Sequence, residues 1–258
     1  MAKEKKNLTK KDGYEFEKGR QAARDEYKKE KLKKILLIVG ISILTIGVFA
    51  QISLMPNKEE KEGQGTNKEE VKIVKEDILT GTIDGYTFTQ TDEVTDRVKI
   101  QMENGDIILI VLSNEDTPIT IKNFKKLVSE KFYDGIIFHR VIADFMIQGG
   151  DPTGTGFNGS DEEIKGEFQS NGVKNNLSHT RGVVSMARSN DPNSASSQFF
   201  IVHEDSTYLD GNYASFGKVF AGMSTVDKIA ATPTDYNDKP LTEQKIHSIR
   251  FVTVEKAE

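Results

Sequence analysis

Apolar side chains occupy every second position at Val98, Ile100 and Met102. An Asn104-Gly105 pair then precedes the continuous apolar run 107–112. Asn-Gly favours the positive φ angles of a tight two-residue turn, so this stretch predicts a β-hairpin. Thr117-Pro118 next opens a helix that carries Ile121, Phe124, Leu127 and Val128 on one face. Proline fits the first helical turn, and the apolar spacing of three and four is that of a half-buried helix. Tyr133-Asp134-Gly135 ends this unit. Short β-like runs follow at 136–142, 145–149, 182–187, 198–202, 215–219 and 246–254, separated by glycine-rich loops, with a second helix at 225–231. Many short strands, few helices and frequent glycine turns predict a mainly β fold, an antiparallel barrel or sandwich. Residues 78–96 stand open between an edge strand and an irregular lead-in. No internal repeat is present.

The N-terminal part has a different pattern. Residues 35–55 form a stretch of 21 without a charge. At about 1.5 Å per residue it is long enough for a helix to cross a hydrocarbon core of about 30 Å. Residues 1–34 hold 13 Lys/Arg against 7 Asp/Glu, whereas the whole chain carries a net charge of −5, so everything beyond the apolar stretch is acidic. The positive-inside rule then predicts a single-pass membrane protein with a basic cytoplasmic tail (1–34), a signal-anchor helix (35–55), a charged linker (56–77) and an extracytoplasmic domain (78–258). A cleavable signal peptide ending near Val48-Phe49-Ala50, with secretion of the remainder, is the alternative. With no cysteine in the chain, disulfides, thiolate metal sites and a cysteine nucleophile are excluded.

Candidate chemistry concentrates in two segments. Phe138-His139-Arg140-Val141-Ile142 and Asp144-Phe145-Met146-Ile147-Gln148-Gly149-Gly150-Asp151 place one arginine among large apolar side chains, with an amide eight residues on. An arginine is always charged and presents five donors in a rigid fork. A cation at the edge of an apolar pocket suits an apolar ligand with an amide to be polarised. The second segment is Ser197-Gln198-Phe199-Phe200-Ile201-Val202, followed by Leu209-Asp210-Gly211 and Phe216-Gly217-Lys218-Val219.

Together, and in this order, these motifs resemble the cyclophilins, the peptidyl-prolyl cis/trans isomerases, over roughly residues 97–255. The resemblance implies an eight-stranded antiparallel barrel capped by two helices. It implies Arg140 as the donor that stabilises a twisted X-Pro amide, with Gln148 and Gln198 orienting it or bonding the substrate backbone. It implies a proline pocket of Phe145, Met146, Phe200 and Leu209, and a substrate-backbone loop of bacterial type containing Ala187 and Arg188. No cofactor is implied, and the partners are Pro-containing polypeptides, here exported or cell-surface chains. Two positions depart from the family pattern. Tyr208 stands where well-known members carry Trp, and Tyr213 where they carry His. Loss of the indole N–H predicts weak or no cyclosporin binding. A non-catalytic Pro-segment binding module, or a holdase at the membrane, is the rival expectation.

Other signals carry less. Gly154, Gly156 and Gly159 fit G-x-G-x-x-G, but Asp161, Glu162 and Glu163 follow at once and would repel phosphate. His139, His179, His203 and His247 lack metal-ligand spacing. Ser197, His203 and Asp205 lack the nucleophile-elbow pattern of a hydrolytic triad. His139 reads as structural, since amide rotation transfers no proton. The acidic domain argues against nucleic-acid binding. Asn158-Gly159-Ser160 and Asn176-Leu177-Ser178 are glycosylation sequons that matter only in a glycosylating secretory pathway.

Overall fold

A computed structural model describes residues 76–113 and 115–256. The expected tail, membrane span and nearly all of the linker lie outside the described residues. Among the described residues, no helix is long and apolar enough to cross a membrane.

The described residues form ten strands and two α-helices in chain order: β1 (Thr80–Ile83), β2 (Tyr86–Gln90), β3 (Arg97–Met102), β4 (Ile107–Val111), α1 (Pro118–Ser129), β5 (Arg140–Ile142), β6 (Met146–Gly149), β7 (Val183–Met186), β8 (Phe199–Val202), β9 (Ser215–Ala221), α2 (Met223–Ala230) and β10 (Ile246–Lys256). Lateral order is β1-β2-β10-β3-β4-β9-β7-β8-β6-β5. Residues just before β5 meet the start of β10 and the residues leading into it: Phe138 N–H donates to Gln244 O (2.9 Å) and Ile246 N–H to Ile136 O (2.8 Å). These bonds close the eight strands β3–β10 into a barrel. The run 136–142 therefore divides, with its first residues making the seam and only Arg140–Ile142 becoming strand.

Strand alternation fills the barrel. Val98 and Ile100 of β3, Ile108 and Ile110 of β4, Val141 of β5, Ile147 of β6 and Ile201 of β8 share one core with Phe124, Leu127 and Val128 of α1. Thr117 makes no side-chain cap at the start of α1. The buried Glu167 does so from a distance, accepting the N–H groups of Ile119 (3.0 Å) and Thr120 (2.7 Å). A carboxylate at a helix N-terminus satisfies orphan donors and complements the helix dipole.

Residues 78–96 do more than lead in. β1 and β2 form a hairpin that extends β10 beyond the barrel, turning at Asp84 (φ 49°) and Gly85 (φ 77°). The pair with both φ angles positive is thus Asp-Gly. At Asn104-Gly105 only Gly105 is left-handed (φ 89°), and the Met102 N–H bonds Asp106 O (2.8 Å). That connection is a three-residue loop with a glycine bulge, rather than the two-residue turn expected from sequence.

The hairpin explains why β4 is apolar at every position. Ile108 and Ile110 face the barrel core, while Ile107 and Leu109 pack outside it with Phe88 and Val252. It also buries Lys99, whose Nζ donates to Ile78 O (2.6 Å), Gln90 Oε1 (3.1 Å) and Gln101 Oε1 (3.2 Å). Burial lowers the Lys99 ammonium pKa to about 8, against the attraction of Asp77.

Between pH 8 and 10.5 the unfolded chain holds a proton that folded Lys99 has released, so this group makes stability rise with pH across that window. Denaturant titrations of wild type and Lys99→Met should therefore diverge in favour of wild type above about pH 8. A stability difference independent of pH would contradict this.

Candidate active site

β5, β6 and β8 lie side by side, with Arg140 opposite Gln148 and Gln148 opposite Phe200. Side chains alternate across a strand, so the register that sends Val141, Ile147 and Ile201 into the core sends Arg140, Gln148 and Phe200 outward. Outside the barrel these three border a cleft of about 640 Å³, together with Phe145, Met146, Leu209 and Tyr213.

Its floor is apolar. Met146, Phe200 and Leu209 are buried against Val183 and Val202. The Phe200 ring stacks on His179 (centroids 6.0 Å apart, 16° between planes) and meets Tyr213 edge-on at 6.0 Å. His179 is fixed in turn, with Nδ1 2.8 Å from Asp210 Oδ1 and Nε2 3.0 Å from Ser185 Oγ. These are the distances of a hydrolytic triad, but Ser185 is fully buried and no substrate carbonyl could reach it. What the set provides is a rigid plate beneath Phe200. Burial lowers the His179 pKa despite the Asp210 carboxylate, which keeps the ring neutral at neutral pH.

A polar wall rises beside this floor. Arg140 Nη1 donates to Gln148 Oε1 at 3.4 Å, and Arg140 Nε lies 3.8 Å from Asp238 Oδ2. Both contacts are long, so donors remain available to a ligand in the cleft. Gln148 Nε2 donates to Gln198 Oε1 (2.8 Å), and Gln198 Nε2 donates to Gly156 O (3.1 Å) and Asn158 O (2.7 Å). The relay thus runs from the guanidinium through two amides to one loop.

That loop is the G-x-G-x-x-G segment, and its anion is internal. The Asp151 carboxylate, fully buried, accepts the N–H groups of Thr153 (2.8 Å), Thr155 (3.1 Å) and Gly156 (2.6 Å), plus the Thr153 hydroxyl (2.8 Å). Backbone N–H groups curled round an anion form a nest, and here Asp151 fills it. Gly156 adopts φ 85° to turn its N–H to Asp151 and its carbonyl to Gln198. Burial alone would raise the Asp151 pKa; the hydrogen bonds from Thr153, Gly156 and Asn158 outweigh it and hold the carboxyl at about 2.

The remaining expected residues divide. Ala187 and Arg188 line the cleft. The Arg188 guanidinium is already engaged, stacked 4.8 Å over Tyr213 and 5.1 Å over Phe168 while donating to Asn212 O (2.9 Å) and Ser189 O (2.8 Å). Gln198 lines an adjoining cleft rather than this one. Tyr208 does not line the cleft. It is 68 % exposed on a one-turn helix (Thr207–Leu209), with its ring tilted over Phe145 at 5.9 Å. His139 lines the cleft almost fully buried, and neither ring nitrogen has a hydrogen-bond partner among the described residues. Burial lowers its pKa. Sequence reading missed Asp235, Asn237 and Lys239, which border the cleft from an irregular loop. Nothing in their composition separates them from an ordinary turn.

An antiparallel barrel with an outer apolar pocket flanked by an arginine–glutamine relay is the arrangement of a prolyl-isomerase-type site. The pattern of the family "Cyclophilin type peptidyl-prolyl cis-trans isomerase/CLD" matches residues 97–251. The chain belongs to this family. It is 43 % identical over 162 residues to peptidyl-prolyl cis-trans isomerase-like 1 of Neurospora crassa, covering 62 % of this chain and 97 % of that protein. It is 42 % identical over 160 residues to a peptidyl-prolyl cis-trans isomerase of Acinetobacter baylyi, covering 58 % and 82 %. Among solved structures it is similar to a cyclophilin-type isomerase of Cryptosporidium parvum crystallised in the presence of the dipeptide Ala-Pro (TM-score 0.54, 33 % identity, 60 % of this chain and 98 % of that one).

Asp151→Asn should destabilise the fold by about 1–3 kcal/mol, as expected when a buried charged acceptor is lost. Because the folded Asp151 pKa is depressed, its contribution is present above pH 3.8 and lost as pH falls toward about 2. Urea titrations of both proteins should show a gap at neutral pH that closes in acid. An equal gap at every pH would refute the assignment.

Proposed function

We propose that this protein accelerates cis/trans rotation about X-Pro bonds in polypeptides exported across, or displayed on, the cell membrane. The observation that carries the chemistry is the adjacency of Arg140 to the apolar floor of Met146, Phe200 and Leu209. An X-Pro bond is planar because the nitrogen lone pair is delocalised into the carbonyl, and the rotation barrier is about 18–20 kcal/mol. Rotation makes and breaks no covalent bond. In the twisted state the nitrogen is pyramidal and its lone pair is localised. The proline ring rests on the floor, and the guanidinium donates to that nitrogen. The donor bonds the twisted state and not the planar one, so it lowers the barrier without equally tightening the ground state. Gln148 and Gln198 hold the guanidinium in place. Phe145 and Tyr213 wall the ring, and Ala187 and Arg188 border the backbone path.

The setting is read from the sequence. The uncharged residues 35–55, preceded by a basic segment, support a single-pass anchor with the isomerase domain outside the cytoplasm. Uncatalysed X-Pro isomerisation takes about 10–100 s, long enough to expose an emerging chain to proteolysis and aggregation. Tyr208 lacks an indole N–H and lies outside the cleft lining, which supports weak cyclosporin binding.

In a protease-coupled assay with a chromogenic Ala-Pro peptide, the full chain should abolish the slow phase, and Arg140→Ala should lower kcat/KM about 100-fold, as removal of a transition-state donor does. Peptide affinity, read by calorimetry, should change only a few-fold. Equal losses of turnover and affinity would point to the rival reading, a binding module. Protease added to intact cells should release the domain if it is external; full protection would place it inside.

A further inference from the structure

A second cleft of about 830 Å³ continues from the first, sharing Gln148, Gly156, Phe157, Ala187 and Arg188. Its character is different. The first cleft carries Arg140 and Lys239 at its border, with Asp235 as its one lining carboxylate among the described residues, against two in the second. The second carries the carboxylates of Asp161 and Glu163 and the hydroxyls of Ser189, Ser194 and Ser196. Asp161 and Glu163 are exposed, and neither has an ion-pair partner among the described residues; the intervening Glu162 is taken by Lys126 at 2.8 Å. Arg188, which also lines this cleft, is committed to two rings and to backbone carbonyls. Between the two clefts stands Phe157, an aromatic ring left 92 % exposed. The Ser160 hydroxyl oxygen, in the same wall, is buried and has no hydrogen-bond partner among the described residues.

An aromatic face beside two unneutralised carboxylates complements one kind of side chain, a long methylene stem that ends in a cation. The stem covers the ring, and the cation is attracted by the ring face and the carboxylates. We propose that the second cleft selects substrates with a lysine or arginine close to the proline, read by Phe157, Asp161 and Glu163. Continuity of the two clefts makes the occupant a flanking residue of the same polypeptide. The inference rests on the reading of the first cleft as the site of X-Pro rotation.

The test uses the full chain and Ala-Pro peptides with Lys, Ala or Glu placed in turn at each of the neighbouring positions. At one position or more, the Lys peptide should exceed the Glu peptide in kcat/KM by about fivefold at low salt, the scale of an exposed ion pair gained. The ratio should approach one at about 1 M salt, where screening acts within about 3 Å. It should also fall to about one in the Asp161→Asn/Glu163→Gln variant, and invert in Asp161→Lys/Glu163→Lys. A ratio near one at every position in wild type, or a preference that survives neutralisation, overturns the proposal. If wild type leaves even the Ala-flanked peptide unaccelerated, the isomerase reading is what fails. Calorimetric titration of the Lys and Glu peptides then still decides the charge preference.

Discussion

The site depends on strand register. Arg140, Gln148 and Phe200 stand side by side on three adjacent strands only because Val141, Ile147 and Ile201 stand side by side on the opposite face. A slip of one residue in β6 would expose Ile147 and drive Gln148 into the core, at a cost no local contact could offset. Burial of the core thus fixes the relative placement of a cation, an amide and an apolar ring to within a strand spacing. This is preorganisation obtained from packing, and it places these three side chains on paired strands, while loops complete the cleft.

Polar groups beside the cleft follow the same logic one layer out. The loop from Asp151 to Asn158 has little apolar surface to bury, so an internal carboxylate organises it. Asp151 draws N–H groups inward, which turns the Gly156 and Asn158 carbonyls toward Gln198. Gln198 then presents its oxygen to Gln148, which in turn presents its own to Arg140. Charge in the nest and charge in the cleft are linked through oriented amides. The inner links are short, and the last, from Arg140 to Gln148, is long at 3.4 Å, which leaves guanidinium donors for a ligand.

Much of this was legible in the sequence because period and burial coincide. Alternation at Val98, Ile100 and Met102 identified the core face of β3, and the three-and-four spacing identified α1. The pocket residues Phe145, Met146, Phe200 and Leu209 lie within ordered motifs and come together in the cleft. Long-range covering was not legible. Lys99 and Gln101 alternate with the apolar positions of β3, yet both are buried because a hairpin from residues 80–90 folds over them. Their partners, Ile78 and Gln90, are distant along the chain and carry no periodic mark. The cap of α1 came from Glu167, nearly fifty residues downstream, and the Ser185–His179–Asp210 set is assembled from three separate segments. Spacing cannot predict such contacts, since only the closed barrel brings those segments together.

The most direct test is a structure of the full chain bound to a Pro-containing dipeptide such as Ala-Pro. The account predicts the pyrrolidine ring on Met146, Phe200 and Leu209, with the Arg140 guanidinium within hydrogen-bond reach of the prolyl amide. A dipeptide seated elsewhere, or a ring in the cleft with Arg140 turned away toward Asp238, would contradict it.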